Sequence, residues 1–295
     1  MTHTTDARDA DRALKAKHRT MWALGDYPAV AKEVVGALGP VLVEACGVKT
    51  GDRVLDVAAG SGNAAIPAAL AGGDVIASDL TPELLDVGRR DAAARGAELR
   101  WEVADAEALP FADGEFDTVM SCVGVMFAPH HQDTADELLR VCRAGGIVGL
   151  ISWTPEGFIG RMFTTMKPYA PAPPPGAQPP PLWGQEEHVR ALLGDRVDGV
   201  DARRQTVRVD RFAKPEDFRE FFKATYGPTI AVYRNIAEAP EKTAALDRAL
   251  DELAGDALRD GAMEWEYLLF TARRSGAAPG WAPSAGTSAA AGPGL

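Results

Sequence analysis

The run Val54–Asn63 reads VLDVAAGSGN, a short apolar strand pattern that passes straight into a turn with glycines two residues apart. Gly60 and Gly62 let the chain reverse tightly and leave no side chain between the backbone and a ligand above it. The next residues begin a helix, whose free N–H groups favour a carboxylate or a phosphate. Strand, glycine turn and helix in that order point to an α/β fold that binds its ligand at the carboxyl ends of parallel strands.

The same texture continues to Trp153. Apolar runs at 53–59, 74–79, 99–104, 116–122 and 145–153 are short and rich in β-branched residues, the pattern of strands buried on both faces. Between them, Thr81-Pro82 reads as a helix start and Gly96 as its stop. Ala135, Leu138, Leu139 and Cys142 recur at helical spacing, and Gly145-Gly146 is expected to end that helix. Beyond Trp153, residues 168–181 (PYAPAPPPGAQPPP) are too rich in proline for helix or strand and read as a stiff extended connection. Strands are expected at Gln205–Phe212 and Glu264–Ala272, with a helix carrying Leu246, Leu250, Leu253 and Ala257 between them. The tail from Ser275 to Leu295, mostly Ala, Gly, Pro and Ser, is expected to be disordered.

Charge removes several functions. With 31 basic against 42 acidic residues and a formal net charge of -11, the chain lacks the cationic surface that a phosphate backbone requires, so a nucleic-acid partner is not expected. Membrane-length apolar runs are absent, and the polar N-terminus does not resemble a signal peptide, which suggests a cytoplasmic protein. Cys46, Cys122 and Cys142 are scattered and fit reduced thiols better than a disulfide or metal framework, so no metal is expected.

Three acids narrow the ligand. Asp79 closes the second strand, where a carboxylate can accept hydrogen bonds from both hydroxyls of a ribose. Asp105 closes the third, and Asp56 stands just before the glycine turn. Gly60-x-Gly62-x-x-Ala65 also satisfies the dinucleotide fingerprint, so NAD is an alternative. Asp56 would repel a pyrophosphate yet could receive an ammonium, and Asp105 would suit an adenine amino group. An amino acid joined to adenosine, S-adenosylmethionine, fits both.

VLDVAAGSGN, SDLTPELL, ADAEALPFADGEFDTV and LLRVCRAGGIVGLISW resemble the successive motifs of class I S-adenosylmethionine-dependent methyltransferases, nearest the quinone-methyltransferase-like branch that acts on small molecules. The resemblance covers about residues 50–155. It implies a doubly wound, Rossmann-like, mostly parallel seven-stranded sheet. An N-terminal helical lid (1–49) would precede the cofactor-binding domain (50–274), with an insertion at about 154–200 after the fifth strand, and the tail (275–295) would follow. By the same resemblance Asp56, Ala58, Gly60 and Gly62 surround the methionine part, Asp79 and Leu80 the ribose, and Asp105 and Ala106 the adenine. Cys122 would lie near the sulfonium. Ala58 stands where the family has its first glycine, and only the later glycines are expected to need unusual backbone angles. The segment Met21–Pro28 resembles a lid from which Tyr27 could reach the methionine carboxylate.

Methyl transfer is an in-line displacement, with a general base needed only where the acceptor must lose a proton. His130 and His131, after the fourth strand, are the candidates for that role. Met126, Phe127, Trp153 and Trp183 supply an apolar and aromatic inventory for an acceptor pocket. The expected activity is methylation of a small, largely apolar or aromatic molecule by a monomer or homodimer. The alternatives are a protein that binds S-adenosylmethionine without transferring the methyl group, as in a cyclisation or rearrangement, and an NAD-dependent oxidoreductase.

Overall fold

The structure, a computed structural model, describes residues 2–173 and 176–276, with side chains from Asp11 onward. Three helices come first: α1 (Thr2–Trp22), α2 (Tyr27–Glu33) and α3 (Leu38–Cys46). The alternating segment follows as β1 (Arg53–Val57), α4 (Ala65–Leu70), β2 (Asp74–Asp79), α5 (Pro82–Ala94), β3 (Arg100–Val103), β4 (Phe116–Cys122), α6 (His131–Val141) and β5 (Cys142–Trp153). Then come α7 (Phe158–Met166), α8 (Glu186–Leu193), β6 (Val197–Val209), α9 (Pro215–Thr225), α10 (Gly227–Asn235), α11 (Pro240–Ala257) and β7 (Met263–Arg274).

The seven strands form one sheet in the order β3-β2-β1-β4-β5-β7-β6. All neighbours are parallel except β7, which runs antiparallel between β5 and β6. The sheet is therefore the expected mostly parallel one. Its centre carries the core: Leu55, Val119, Met120 and Val148 are fully buried, and helices cover both faces. Register sets the site. Asp56 pairs with Ala77, Val57 with Ser78 and Asp79 with Val103, so β1, β2 and β3 end at the same edge.

Several boundaries differ from the expectation. β1 ends at Val57, because Ala58 turns out of the ladder. β3 is not buried on both faces: it is the edge strand, and Val103 is 49% exposed. Gly145 and Gly146 do not end a helix but lie inside β5, where its pairing with β4 shifts register; a Cβ on Gly146 would stand 2.8 Å from the Asp117 carbonyl oxygen. β6 begins at Val197 rather than Gln205 and ends at Val209, leaving Phe212 to pack with Phe218 and Trp265. The proline-rich connection contains short 3-10 turns at Lys167–Tyr169 and Pro180–Gly184. The tail lies outside the described residues beyond Gly276. Among the described residues no helix is long and apolar enough to cross a membrane.

Candidate active site

The glycine turn is built on a strained residue that is not a glycine. Ala58 has φ +54, a left-handed conformation that a Cβ disfavours. Its expected ordinary backbone is thus corrected. Val123, just past the end of the adjacent β4, has φ +55, rarer still for a β-branched residue. Ser121 joins these two turns: its hydroxyl donates to the Val57 carbonyl at 2.6 Å and accepts the Val125 N–H at 3.0 Å. Non-glycine strain of this kind concentrates at binding sites held by their surroundings.

A cleft partly open to solvent lies over this edge of the sheet. Ala58, Gly60, Asp79, Leu80, Asp105 and Ala106, all assigned from sequence, form one side of its wall. Asp79 is the organising group: Oδ2 accepts the Gly60 N–H and Oδ1 accepts the Thr81 N–H, both at 2.8 Å. Asp56 lies buried beneath the turn rather than on the cavity wall. Neither of its carboxylate oxygens has a partner in good hydrogen-bond geometry among the described residues; the Ala65 N–H offers weak support, and burial outweighs it and pushes the pKa up to about 8. Gly62 also stands off the wall. Its missing side chain makes room for Trp101, whose ring would lie 2.7 Å from a Cβ at that position.

The opposite wall comes from α1, with Lys15, His18 and Trp22 at i, i+3 and i+7 on one helical face. Sequence reasoning missed Lys15 and reached Trp22 only as part of the Met21–Pro28 segment, although the spacing of the three is the signal of a face turned inward. The Lys15 ammonium contacts Asp105 and lies 3.0 Å from both Glu107 and Asp11. Asp105 is therefore already paired, and its Oδ1 also accepts the Glu107 N–H at 3.0 Å. Among the described residues, Asp11, Glu107 and His130 bring ligand atoms within 4.8 Å of one another. Lys15 supplies positive charge to two of them.

Neither candidate base faces a cavity. His130 turns its ring to Glu107, with Nδ1 at 3.0 Å from Oε2. His131 is fully buried, its Nδ1 3.0 Å from His188 Nε2, and burial lowers its pKa to about 3. Cys122 is partly buried beside Asn63, whose Nδ2 lies 3.7 Å from its sulfur, and burial raises the thiol pKa. Met126 and Trp183 are core residues outside both cavities, Trp183 packing against His131 with ring centroids 5.4 Å apart. Phe127 and Trp153 line a second, smaller cavity that shares Tyr27, Val123 and Phe127 with the first. Tyr226 and Trp265, absent from the expected set, complete it; both lie after Trp153, far in sequence from the motifs.

A parallel sheet whose strand ends carry a glycine turn, a ribose-type acid and a buried unpaired carboxylate defines an α/β enzyme for an adenosine-type cofactor. A methyltransferase-domain family model matches residues 54–146. An uncharacterised protein of Mycobacterium tuberculosis is 56% identical over 257 residues, covering 87% of this chain and 94% of that protein. Demethylmenaquinone methyltransferase from Renibacterium salmoninarum is 42% identical over 106 residues, 36% of this chain and 43% of that enzyme. Among solved structures, the YcgJ protein of Bacillus subtilis superposes with a TM-score of 0.53 at 17% identity, covering 80% of this chain and 97% of YcgJ. The chain belongs to the class I S-adenosylmethionine-dependent methyltransferases, beside their quinone-methyltransferase-like branch. Its methyl donor is S-adenosylmethionine, which removes NAD from the alternatives.

The residues present fit that donor. Asp56, buried without a cation below the turn and off the cavity wall, could act on a donor's ammonium only from beneath the backbone of the turn. Gly60 leaves the cleft open beside Tyr27, whose ring would stand 3.3 Å from a Cβ there.

Proposed function

We propose that this methyltransferase acts on a small, largely apolar or aromatic molecule seated in the second cavity. The observation that carries the reading is the shared wall. Tyr27, Val123 and Phe127 separate a cavity lined by the nucleotide-binding motifs from one lined by apolar and aromatic side chains. A donor on one side and an acceptor on the other would meet across it, and aligning them at about 3 Å accounts for roughly 7–11 kcal/mol of the barrier.

In this reading Asp56 would hold the donor's ammonium through Coulomb attraction, Asp79 and Leu80 its ribose, and Ala106 the adenine rim. Asp105 would act while still paired with Lys15. When bound, the donor supplies an electrophilic methyl group on a sulfonium. The protein's part is to orient the acceptor and exclude water: Trp22 closes over Tyr27 and Phe127, with ring centroids 5.4 and 4.7 Å away. The likeness to demethylmenaquinone methyltransferase supports an acceptor of quinone type. A general base from His130 or His131 forms no part of the proposal, since neither ring reaches either cavity.

The test is to incubate the protein with isotopically labelled S-adenosylmethionine and a panel of small acceptors, following S-adenosylhomocysteine by mass spectrometry. Turnover with aromatic and apolar acceptors, and none with amino acids or sugars, is expected. The reverse preference would sink the substrate assignment. Cofactor held without turnover across the panel would favour a binding protein that transfers no methyl group.

A further inference from the structure

The second cavity is apolar apart from a few donor groups. Val30, Val35, Ile159 and Phe222 contribute carbon only, and no carboxylate, imidazole or ammonium lines it. Two phenols do. Among the described residues neither the Tyr27 nor the Tyr226 hydroxyl makes a side-chain hydrogen bond, and both keep some exposure to the cavity. A hydroxyl that opens onto an apolar cavity without a protein partner is free to donate to an acceptor atom placed there. Burial raises the pKa of both phenols, Tyr226 especially, so both keep their protons and are available as donors.

The two tyrosines are not equivalent. Tyr27 belongs to both cavities and stands beside Gly60, where the donor's methionine end would lie. Tyr226 belongs to the second cavity alone, its ring centroid 6.4 Å from that of Tyr27. Its place is fixed from both sides in the chain. Its own N–H donates to the Phe222 carbonyl at 3.0 Å, and the neighbouring Thr225 carbonyl accepts the Asp26 N–H at 3.0 Å. On the other side a Cβ at Gly227 would stand 2.3 Å from the Met21 carbonyl oxygen. The phenol is thus held between the lid and the α9–α10 junction. Around it, Phe222 and Trp265 present ring surfaces, with Tyr226 and Phe222 centroids 5.3 Å apart.

We infer that Tyr226 is the acceptor-positioning and specificity residue of this enzyme: its hydroxyl donates to a single hydroxyl or oxo oxygen on a flat, otherwise apolar acceptor lying in the second cavity. The inference rests on the reading of that cavity as the acceptor site. It adds the one polar feature the acceptor must have and the residue that recognises it. A methyl group at that position of the ligand fills the same space but leaves the phenol unpaired, so the pocket discriminates against the isosteric hydrocarbon.

The test uses p-cresol and p-xylene, which differ by a hydroxyl in place of a methyl. Each is titrated calorimetrically into the full-length protein saturated with S-adenosylhomocysteine. Wild type is expected to bind p-cresol about tenfold more tightly than p-xylene. Tyr226→Phe is expected to remove that preference by weakening p-cresol alone, leaving p-xylene and S-adenosylhomocysteine affinities unchanged. Equal binding of the two probes by wild type overturns the inference, and this comparison needs no variant. A preference kept in Tyr226→Phe overturns it as well. Binding of S-adenosylhomocysteine with neither probe retained overturns the acceptor assignment and leaves the methyltransferase standing. Failure of wild type to bind S-adenosylhomocysteine would overturn the cofactor site on which the reading depends.

Discussion

The Asp79 carboxylate accepts the backbone N–H of Gly60 at 2.8 Å, so the acid that ends β2 also fixes the glycine turn that follows β1. The same carboxylate holds the start of α5 through Thr81. One side chain therefore positions two elements of the cofactor cavity while remaining on its wall. Asp79→Ala is expected to weaken S-adenosylhomocysteine binding by about 1–3 kcal/mol, with some loss of thermal stability. Isothermal titration checks it; an unchanged affinity would remove Asp79 from the site.

Asp56 stands on the other side of the balance between stability and binding. Its pKa in the folded protein is about 8, against ~3.9 in an unfolded chain. Between those values the unfolded state releases a proton that the folded state keeps, so this group lowers stability as pH rises. Asp56→Asn should lose less stability than wild type between about pH 5 and pH 8, and should bind S-adenosylhomocysteine at least about tenfold more weakly. Parallel urea titrations of the two proteins across that range would expose an error in the sign.

Lys15 ties α1 to the strand-end acids through Asp105, Glu107 and Asp11, with only 16% of its side chain exposed. Desolvation opposes its charge, but the hydrogen bonds it donates to the three carboxylates win and raise its pKa. A cation with a raised pKa contributes fully below its unfolded value of ~10.4, so this tie is constant through neutral pH. Lys15→Met is expected to speed amide hydrogen exchange over residues 11–22 by about tenfold, with the central strands unaffected. Exchange at the wild-type rate would show that the helix is held by packing alone.

Ala58 carries its strain in the backbone. Ala58→Gly is expected to leave stability within about 1 kcal/mol of wild type, relief of the left-handed conformation offsetting the glycine's greater unfolded freedom. Ala58→Val should be destabilising by more than about 1 kcal/mol, because a β-branched side chain fits that conformation poorly. Thermal unfolding of the pair separates backbone strain from side-chain contact; the opposite ranking refutes the account.

His131 is buried neutral, and burial holds its pKa near 3. As pH falls below ~6.5 the unfolded chain takes up a proton that the folded protein refuses, so stability drops with acidification. His131→Gln, which removes the titrating ring from both states, should flatten that slope between about pH 6 and pH 4. A slope equal to wild type would assign the acid sensitivity elsewhere.

What could be read from the sequence was local. Gly60, Asp79 and Asp105 sit at strand ends, and strand ends follow from apolar runs of a few residues. Ala58 could not be read: its left-handed angle is imposed by neighbouring strands, and nothing about alanine announces it. Gly62 was assigned to the ligand because a glycine in such a turn suggests close approach, whereas its neighbour is Trp101, supplied by β3. Lys15, His18 and Trp22 had readable spacing on a helix whose polar composition hid it. Tyr226 had no signal, since the residues that line the second cavity with it come from α2, β5 and β7 and meet only in the folded molecule.

Tyr27, Val123 and Phe127 belong to two chambers at once. A displacement of any of them that suits an occupant on one side alters the room available on the other. At equilibrium such influence runs equally in both directions: whatever free energy the first guest contributes to the second, the second returns to the first. On the proposed reading, order of arrival, leakage of an unspent donor and release of product would all be coupled through one partition built from three side chains.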